Sequence, residues 1–402
     1  MKFIQKFLKY DQKEKINILL KKMDLDLVYK KKFNKLCIRL HNLLPKITIL
    51  DIARDLKLTS GTISRALNNN PRISKETRRL VHEKAKELDY QRNKIASSLR
   101  SGKSYNIGVI IPSAQTNFFG SVVHGIEVEA SSKDYSIILY QTEETTILEK
   151  KAIETFLSAR VDGILASVAK ETTDFDHYQE LQRRHVPLVF FDRTNNELRV
   201  PSVVIDDYKG GYLATQHLIK NGYKRIAHVS GPQHIKGFYD RLKGYADALK
   251  DNKIKVDKKL IYAGDISIES GRAAVDYFFN NDRIPDAVFA VEDYTALGIM
   301  KGLKERNIKI PGEFGVIGFA NENFGGHITP SLSSVDQQTV QMGKQALGLL
   351  LNLIMLKERT TETICIENIV LEPILRIRES SAGKTVPVTI EKLKNLLTEI
   401  SS

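Results

Sequence analysis

Apolar residues along this chain follow two different periods. Between residues 46 and 90 they recur three and four apart, as Ile49, Ile52, Ala53 and Leu56, then Ile63 and Leu67, then Val81, Ala85 and Leu88. That spacing predicts amphipathic helices, and three start signals divide it into three. Thr48-Ile-Leu-Asp51 is a capping box that opens a helix running to about Leu56. Thr59 is an N-cap for Ser60 to about Asn68, and Ser74 one for Lys75 to Leu88. The three apolar faces suffice for a miniature helical core. Beyond residue 105 the pattern changes to short, nearly continuous apolar runs at Ile107–Ile111, Ile137–Tyr140, Gly163–Ala166, Pro187–Phe191, Val203–Ile205, Ile226–Val229, Ala287–Val291 and Val316–Phe319. Helical-period segments lie between most of them. Such alternation predicts βαβ units whose parallel strands are covered on both faces. About 275 residues exceed one typical sheet, so two similar lobes are expected.

These patterns divide the chain into a basic extension at 1–45, a helical domain at 46–90, a polar connector at 91–104, an α/β body at 105–380 and a tail at 381–402. Charge sharpens the division. Residues 1–104 hold 26 Lys+Arg and 10 Asp+Glu, net +16, whereas the remainder is net −3. A polyanion-binding module joined to a near-neutral regulatory body has this distribution. Cys37 and Cys365 stand too far apart in sequence for a disulfide framework or a zinc spacing, which fits a reducing compartment. The most apolar stretch, Leu347 to Leu356, is broken by Asn352, and a membrane span needs roughly 20 apolar residues. With no secretory h-region at the N-terminus, the expected location is cytoplasmic, without membrane partners. In the tail, Ile390, Leu393, Leu397 and Ile400 form a short a/d seam, better suited to a frayed end or to packing on its own body than to a partner helix.

Only Lys57 to Thr59 separate the first two predicted helices, the tight junction of a helix-turn-helix. The second helix then presents Thr59, Ser60, Gly61, Thr62, Ser64, Arg65 and Asn68 toward DNA. Arg65 has the fork that reads guanine O6 and N7, Ser60 and Thr62 suit phosphate or adaptable contacts, and Gly61 has no side chain to read with.

Ile47-Thr-Ile-Leu-Asp-Ile-Ala-Arg, Gly61-Thr-Ile-Ser-Arg-Ala-Leu-Asn68, Ser74-Lys-Glu-Thr-Arg78 and Asn93-Lys-Ile-Ala-Ser-Ser-Leu99 together resemble the lac/gal repressor (LacI/GalR) family, over residues 46 to about 380. The resemblance implies an all-α helix-turn-helix headpiece followed by an α/β periplasmic-binding-protein-like body of two Rossmann-type lobes. It further implies that the connector forms a hinge helix capped by Asn93, with Ala96 and Leu99 on one face. Leu99 would then open a minor-groove base step, its unstacking cost offset by contacts to bent DNA. Asp89 and Arg92 depart from the family, which usually has Gly or Asn and Pro there. The extension at 1–45 is also unusual for it, as an added basic arm or an overextended start.

The implied partners are a pseudo-palindromic double-stranded operator, a second copy of the chain, with a tetramer left open, and a small-molecule effector such as a sugar, sugar phosphate or nucleobase, carbohydrate being favoured. Open α/β sheets hold ligands beyond the C-terminal ends of their strands. Phe118, Phe119, Asp192, Arg193, Arg241 and Asp293 occupy such places, and Asn321 lies in Gly318-Phe-Ala320-Asn321, where relatives often carry an acidic pair. Aromatic faces stack on rings, carboxylates accept hydroxyls and guanidinium groups fork onto oxygens. Asp206 is expected to cap the following helix instead. An enzyme is disfavoured: no Gly-x-Gly-x-x-Gly follows a strand, and no serine elbow or metal-binding His pair is present. Gly102-Lys-Ser104 resembles the end of a phosphate loop, but Ser97 stands where its first glycine belongs. No cofactor or metal is expected.

Overall fold

A computed structural model describes residues 47–90, 102–195, 198–280, 284–357 and 368–383. The chain divides between Ser101 and Gly102 into two compact units.

The first unit is a three-helix domain: α1 (Ile49–Leu56), α2 (Ser60–Leu67) and α3 (Lys75–Glu87). At the start of α1 the Asp51 carboxylate accepts hydrogen bonds from the Thr48 backbone N–H (2.9 Å) and hydroxyl (2.8 Å). The Thr59 hydroxyl accepts from Thr62 N–H and that of Ser74 from Thr77 N–H, so each helix starts where its capping residue dictates. Lys57 takes left-handed backbone (φ 53°), which stops α1 and turns the chain into α2 within three residues. Ile52, Ala53, Ile63, Ala66, Val81 and Ala85 form the core, flanked by Ile49, Leu56, Leu67 and Leu88.

The second unit contains two six-stranded sheets. The first is built from β1 (Asn106–Ile111), β2 (Ser136–Gln141), β3 (Gly163–Ala166), β4 (Leu188–Phe191), β5 (Ser202–Ile205) and β11 (Asn368–Leu371), in the order β11-β5-β4-β3-β1-β2. The second comprises β6 (Ile226–Ser230), β7 (Ile261–Ala263), β8 (Ala287–Ala290), β9 (Gly315–Ala320), β10 (Ser333–Asp336) and β12 (Ile374–Arg376), in the order β12-β10-β9-β8-β6-β7. All pairings are parallel except β10 with β12. Helices α4 (Asn117–Ser132), α5 (Thr146–Ala159), α6 (Asp176–Arg183) and α11 (Thr339–Lys357) belong to the first lobe, and α7 (Asp207–Lys220), α8 (Lys236–Asp251), α9 (Ile268–Phe279) and α10 (Asp293–Glu305) to the second. The chain passes between lobes after β5, after β10 and after β11, so neither lobe is a contiguous segment.

The eight strands expected from apolar runs are present within one or two residues of their expected ends. The four that the runs did not reveal, β7, β10, β11 and β12, have only three or four residues, and three of them lie at sheet edges. β10 is Ser-Ser-Val-Asp, and its polar side chains are consumed inside the lobe rather than exposed. The apolar stretch at Leu347–Leu356 lies within α11, whose Leu347, Leu350 and Leu353 pack in the first-lobe core. No helix among the described residues is long and apolar enough to cross a membrane. Gly102-Lys-Ser104 precedes β1 instead of following a strand, and Ser104 is occupied: its N–H (2.7 Å) and hydroxyl (3.0 Å) both donate to Asp162 Oδ1. The extension, residues 91–101 of the connector and the seam from Ile390 to Ile400 lie outside the described residues.

Helices α7 and α8 touch backbone to backbone. A Cβ on Gly244 would stand 2.7 Å from the Tyr212 nitrogen and closer still to the Tyr208 carbonyl oxygen, and one on Gly211 would stand 2.9 Å from the Arg241 Cα. This approach sets the height at which Arg241 leaves α8. Gly244→Ala must push the helices apart, and overpacking of this kind costs roughly 1–3 kcal/mol. A urea melt of the full chain should show a correspondingly lower midpoint; an unchanged midpoint would mean that the helices separate freely.

Candidate DNA-reading helix and interlobe cleft

α2 exposes its N-terminal half. Thr59, Ser60, Gly61, Arg65 and Asn68 are exposed, while Thr62 and Ser64 are half-buried beside the core residues Ile63 and Ala66. No acidic residue occurs in the helix. Arg65 Nε donates to the Gly61 carbonyl at 3.2 Å, which holds the side chain along the helix and leaves its two terminal nitrogens for an outside acceptor. A Cβ on Gly61 would come to 3.9 Å from Arg65 Nη2, so glycine leaves the space beside the guanidinium open. Asn93, Ala96 and Leu99 lie outside the described residues.

In the body, a cavity of about 580 Å³ lies between the two lobes, where the C-terminal ends of both sheets converge. From the first lobe it is lined by Phe118 and Phe119 on the first turn of α4, by the wall from Val168 to Phe175, and by Asp192 and Arg193 after β4. From the second lobe come Phe238 and Arg241 of α8, Glu292 and Tyr294 after β8, Ala320 at the end of β9 and Glu322 beyond it. Phe118 and Phe119 meet edge to face, their ring centroids 5.0 Å apart. Contacts that bridge the lobes around this space include Phe118 N–H to Glu322 Oε1 (3.1 Å), Asn323 Nδ2 to Asn117 Oδ1 (3.1 Å), His234 Nε2 with the Lys170 carbonyl (3.0 Å), and Lys170 Nζ to Asp265 (3.4 Å).

Arg241 is the most constrained charge in the cleft. Its Nε donates to Asp207 Oδ1 (2.8 Å) and its Nη1 to the Val291 carbonyl (2.7 Å), while its guanidinium carbon lies 3.6 Å from the centre of the Phe319 ring. Arg193 likewise donates through Nη1 to Glu144 Oε2 (2.7 Å). Burial dominates the carboxylates. It pushes Asp192 up to about 6 against the pull of Arg193, and raises Asp207 despite Arg241. Glu292 is held well above the usual carboxylate range by burial and then by the adjacent Asp293, while burial raises Glu322 against the Phe118 N–H.

The side chains of two expected effector residues turn elsewhere. Asp293 is fully buried and does not line the cavity: its carboxylate accepts from Glu322 N–H (2.7 Å) and the Ser334 hydroxyl (2.7 Å), tying α10 to β10 and to the segment after β9. Asn321 is a strut. Ala320 (φ 112°) and Asn321 (φ 56°) leave β9 in left-handed backbone, and Asn321 is fixed there by Ser334 Oγ, Asp336 and Arg378. Their neighbours Glu292 and Glu322 take the cleft positions. Asp206 caps α7 by accepting from Lys209 N–H (2.8 Å), as expected, whereas Asp207, one residue on, is the partner of Arg241. Sequence reasoning also missed Glu149, which is fully buried. It accepts from Ala169 N–H (2.9 Å), the Thr172 hydroxyl (2.6 Å) and His177 Nε2 (2.8 Å), and so fixes the 168–175 wall. A glutamate inside a helical apolar face was its only advance sign. No cluster of three or more His, Cys, Asp or Glu suited to a metal occurs among the described residues.

Known proteins match both units. Residues 48–93 fit the family model described as bacterial regulatory proteins, lacI family, and residues 104–372 fit periplasmic binding proteins and sugar binding domain of LacI family. Catabolite control protein A of Priestia megaterium is 34% identical over 309 residues, spanning 76% of this chain and 91% of that protein. The transcriptional repressor CytR of Escherichia coli K12 is 31% identical, over 76% of this chain and 89% of its own length. Among solved structures, a complex of the transcriptional regulator CelR with cellobiose superposes with a TM-score of 0.63 at 28% identity, covering 83% of this chain and all of that one. With a helix-turn-helix unit at one end and a two-lobed α/β body at the other, each matched by its own model and together by full-length regulators, this chain belongs to the LacI family of DNA-binding transcription regulators.

Proposed function

We propose that two copies of the chain bind a pseudo-palindromic operator in the cytoplasm through α2 and the hinge segment, and that a carbohydrate-like effector in the interlobe cleft sets the strength of that binding. The observation that carries the reading is the coexistence in one chain of an acid-free, exposed recognition helix bearing Arg65 and a cavity of about 580 Å³ floored by Arg241. Thr59, Ser60, Thr62, Ser64 and Asn68 position the headpiece on phosphates and base edges, Arg65 reads a guanine, and Asn93, Ala96 and Leu99 form the hinge in the minor groove. Phe118, Phe119, Asp192, Arg193 and Arg241 contact the effector. The cellobiose in the CelR complex supports a sugar-sized occupant.

The mechanism follows from chain connectivity. Three crossings join the lobes, so a ligand that touches both favours one relation between them. An effector shifts operator affinity only by its differential affinity for the two lobe arrangements, and the same factor couples the operator back to the effector. A dimer is required because a single half-site offers too few contacts, and two-fold protein symmetry then matches a two-fold operator.

Fluorescence anisotropy of promoter fragments, including the chain's own upstream region, tests this at fixed salt with and without a panel of sugars. Tight binding to one fragment, altered by one compound, is expected; weak, sequence-indifferent binding across all fragments would refute the regulator. Arg65→Ala should weaken operator binding by about 1–3 kcal/mol, roughly 5- to 150-fold, and relax preference at one base pair. Retained preference there would remove Arg65 from base reading. Arg241→Lys keeps a cation for Asp207 but loses the planar fork, and should reduce the effector-induced shift in operator affinity at least tenfold. A full shift in that variant would take Arg241 out of the ligand site.

A further inference from the structure

The charges lining the cleft do not balance. Each of its long cationic side chains already has a carboxylate: Arg241 has Asp207, Arg193 has Glu144, Lys170 has Asp265 and Lys236 has Asp240. Glu292 and Glu322, both on the second-lobe side of the cavity, have no cation within ion-pair distance among the described residues. Glu292 accepts the Tyr294 N–H that starts α10 (2.8 Å), and Glu322 the Phe118 N–H. Glu322 is only 2% exposed; the Asn117 side chain stands beside the Phe118 N–H as a second donor, but no cation faces the carboxylate among the described residues and its Oε2 makes no hydrogen bond of ordinary geometry. A buried carboxylate without a cation is costly, and Glu322 borders the cavity, from which a cationic donor can be supplied.

We propose that the effector is a polyhydroxylated ring carrying a protonated amine, its ammonium held by Glu322 and Glu292 and its ring set against Phe118 and Phe119. This rests on the reading of the cleft as the effector site and narrows its occupant by charge. An ammonium brings three donors and the positive charge that the two carboxylates lack. A neutral sugar supplies donors without the charge. A phosphorylated or carboxylated sugar would bring an anion to a surface whose cations are already taken, a repulsion that works as discrimination. Aromatic walls suit this ligand as well, since a ring face attracts a nearby cation. Burial raises both glutamates above the ordinary range, consistent with groups that give up protons when a cation arrives.

Isothermal titration calorimetry of the full chain tests the assignment with matched sets built on glucose, galactose and mannose: the neutral hexose, the 2-amino-2-deoxyhexose, the hexose 6-phosphate and the hexuronate. In at least one set the amino sugar should bind tenfold or more tightly than the neutral sugar, and both anionic forms more weakly than it. Glu322→Gln should narrow the preference for the amine to threefold or less. Glu292→Gln provides the same reading if the first variant fails a thermal-melt check of folding. A preference for the phosphate or carboxylate, no discrimination in any set, or a preference for the amine that survives both substitutions would overturn the proposal. Operator binding measured alongside separates the two readings: a phosphorylated or neutral sugar that shifts it leaves the regulator intact and removes only the amine, whereas absence of sequence-specific operator binding removes the regulator itself.

Discussion

The buried ion pair between Arg241 and Asp207 is the contact on which the cleft depends. Breaking such a pair by deleting one partner costs about 3–5 kcal/mol, because the other charge is left uncompensated away from water. Here the pair joins α7, the first element after the chain leaves the first lobe, to α8, and through the Val291 carbonyl to the end of β8. The Phe319 ring beneath the guanidinium adds the end of β9. One side chain thus ties four elements of the second lobe at the edge facing the cavity. It reaches that place because Gly211 and Gly244 let the two helices approach to backbone contact.

A second constraint lies beside the first. Glu292, Asp293 and Glu322 crowd three carboxyl groups into one region of the second lobe, and burial raises the pKa of all three. Asp293 is pushed up to about 7 by burial, even though Ser334 and the Glu322 N–H donate to it. It organises the floor. Glu292 and Glu322 flank it in the chain and across β9, and both border the cavity. The acidic character of the site is therefore assembled from one group that holds the backbone and two that border the cavity, which explains how a segment reading Gly-Phe-Ala-Asn still contributes a carboxylate at its next position.

How much of this was legible in the sequence follows from the range of each interaction. The headpiece was readable because its information is local: a capping hydroxyl, a three- or four-residue apolar repeat and a three-residue junction fix all three helices. Continuously apolar strands were readable for the same reason, even at four residues. The short strands β10, β11 and β12 were not, because Ser-Ser-Val-Asp or Ile-Leu-Arg becomes a strand only when a neighbouring edge supplies its hydrogen bonds. The cleft was legible to within one residue. Strand ends mark its rim, but beyond a strand the direction of a side chain is set by the turn: at the helix cap after β8 and the left-handed turn after β9, Asp293 and Asn321 bond into the lobe while Glu292 and Glu322 border the cavity. Asp207 was overlooked because its neighbour Asp206 had an evident task as a helix cap. Glu149 acts through partners 20 to 28 positions away, a distance no motif spans.

The discontinuity of the lobes gives the cleft its leverage on the rest of the chain. Had each lobe been one contiguous segment, a single linker would join them and a ligand could draw them together with little consequence elsewhere. With crossings after β5, β10 and β11, any change in lobe relation is shared by three short connections, and α7 and α11 begin immediately beyond two of them. The first connection ends at Asp207, the partner of Arg241, and the second follows Asp336, which anchors both Asn321 and Arg376. Cleft chemistry and lobe geometry are thus carried by the same residues. A ligand that draws charge or hydrogen bonds from Arg241 or Glu322 acts directly on groups that position the crossings and bridge the lobes, and the free energy available for regulation is the difference in those contacts between the two lobe arrangements.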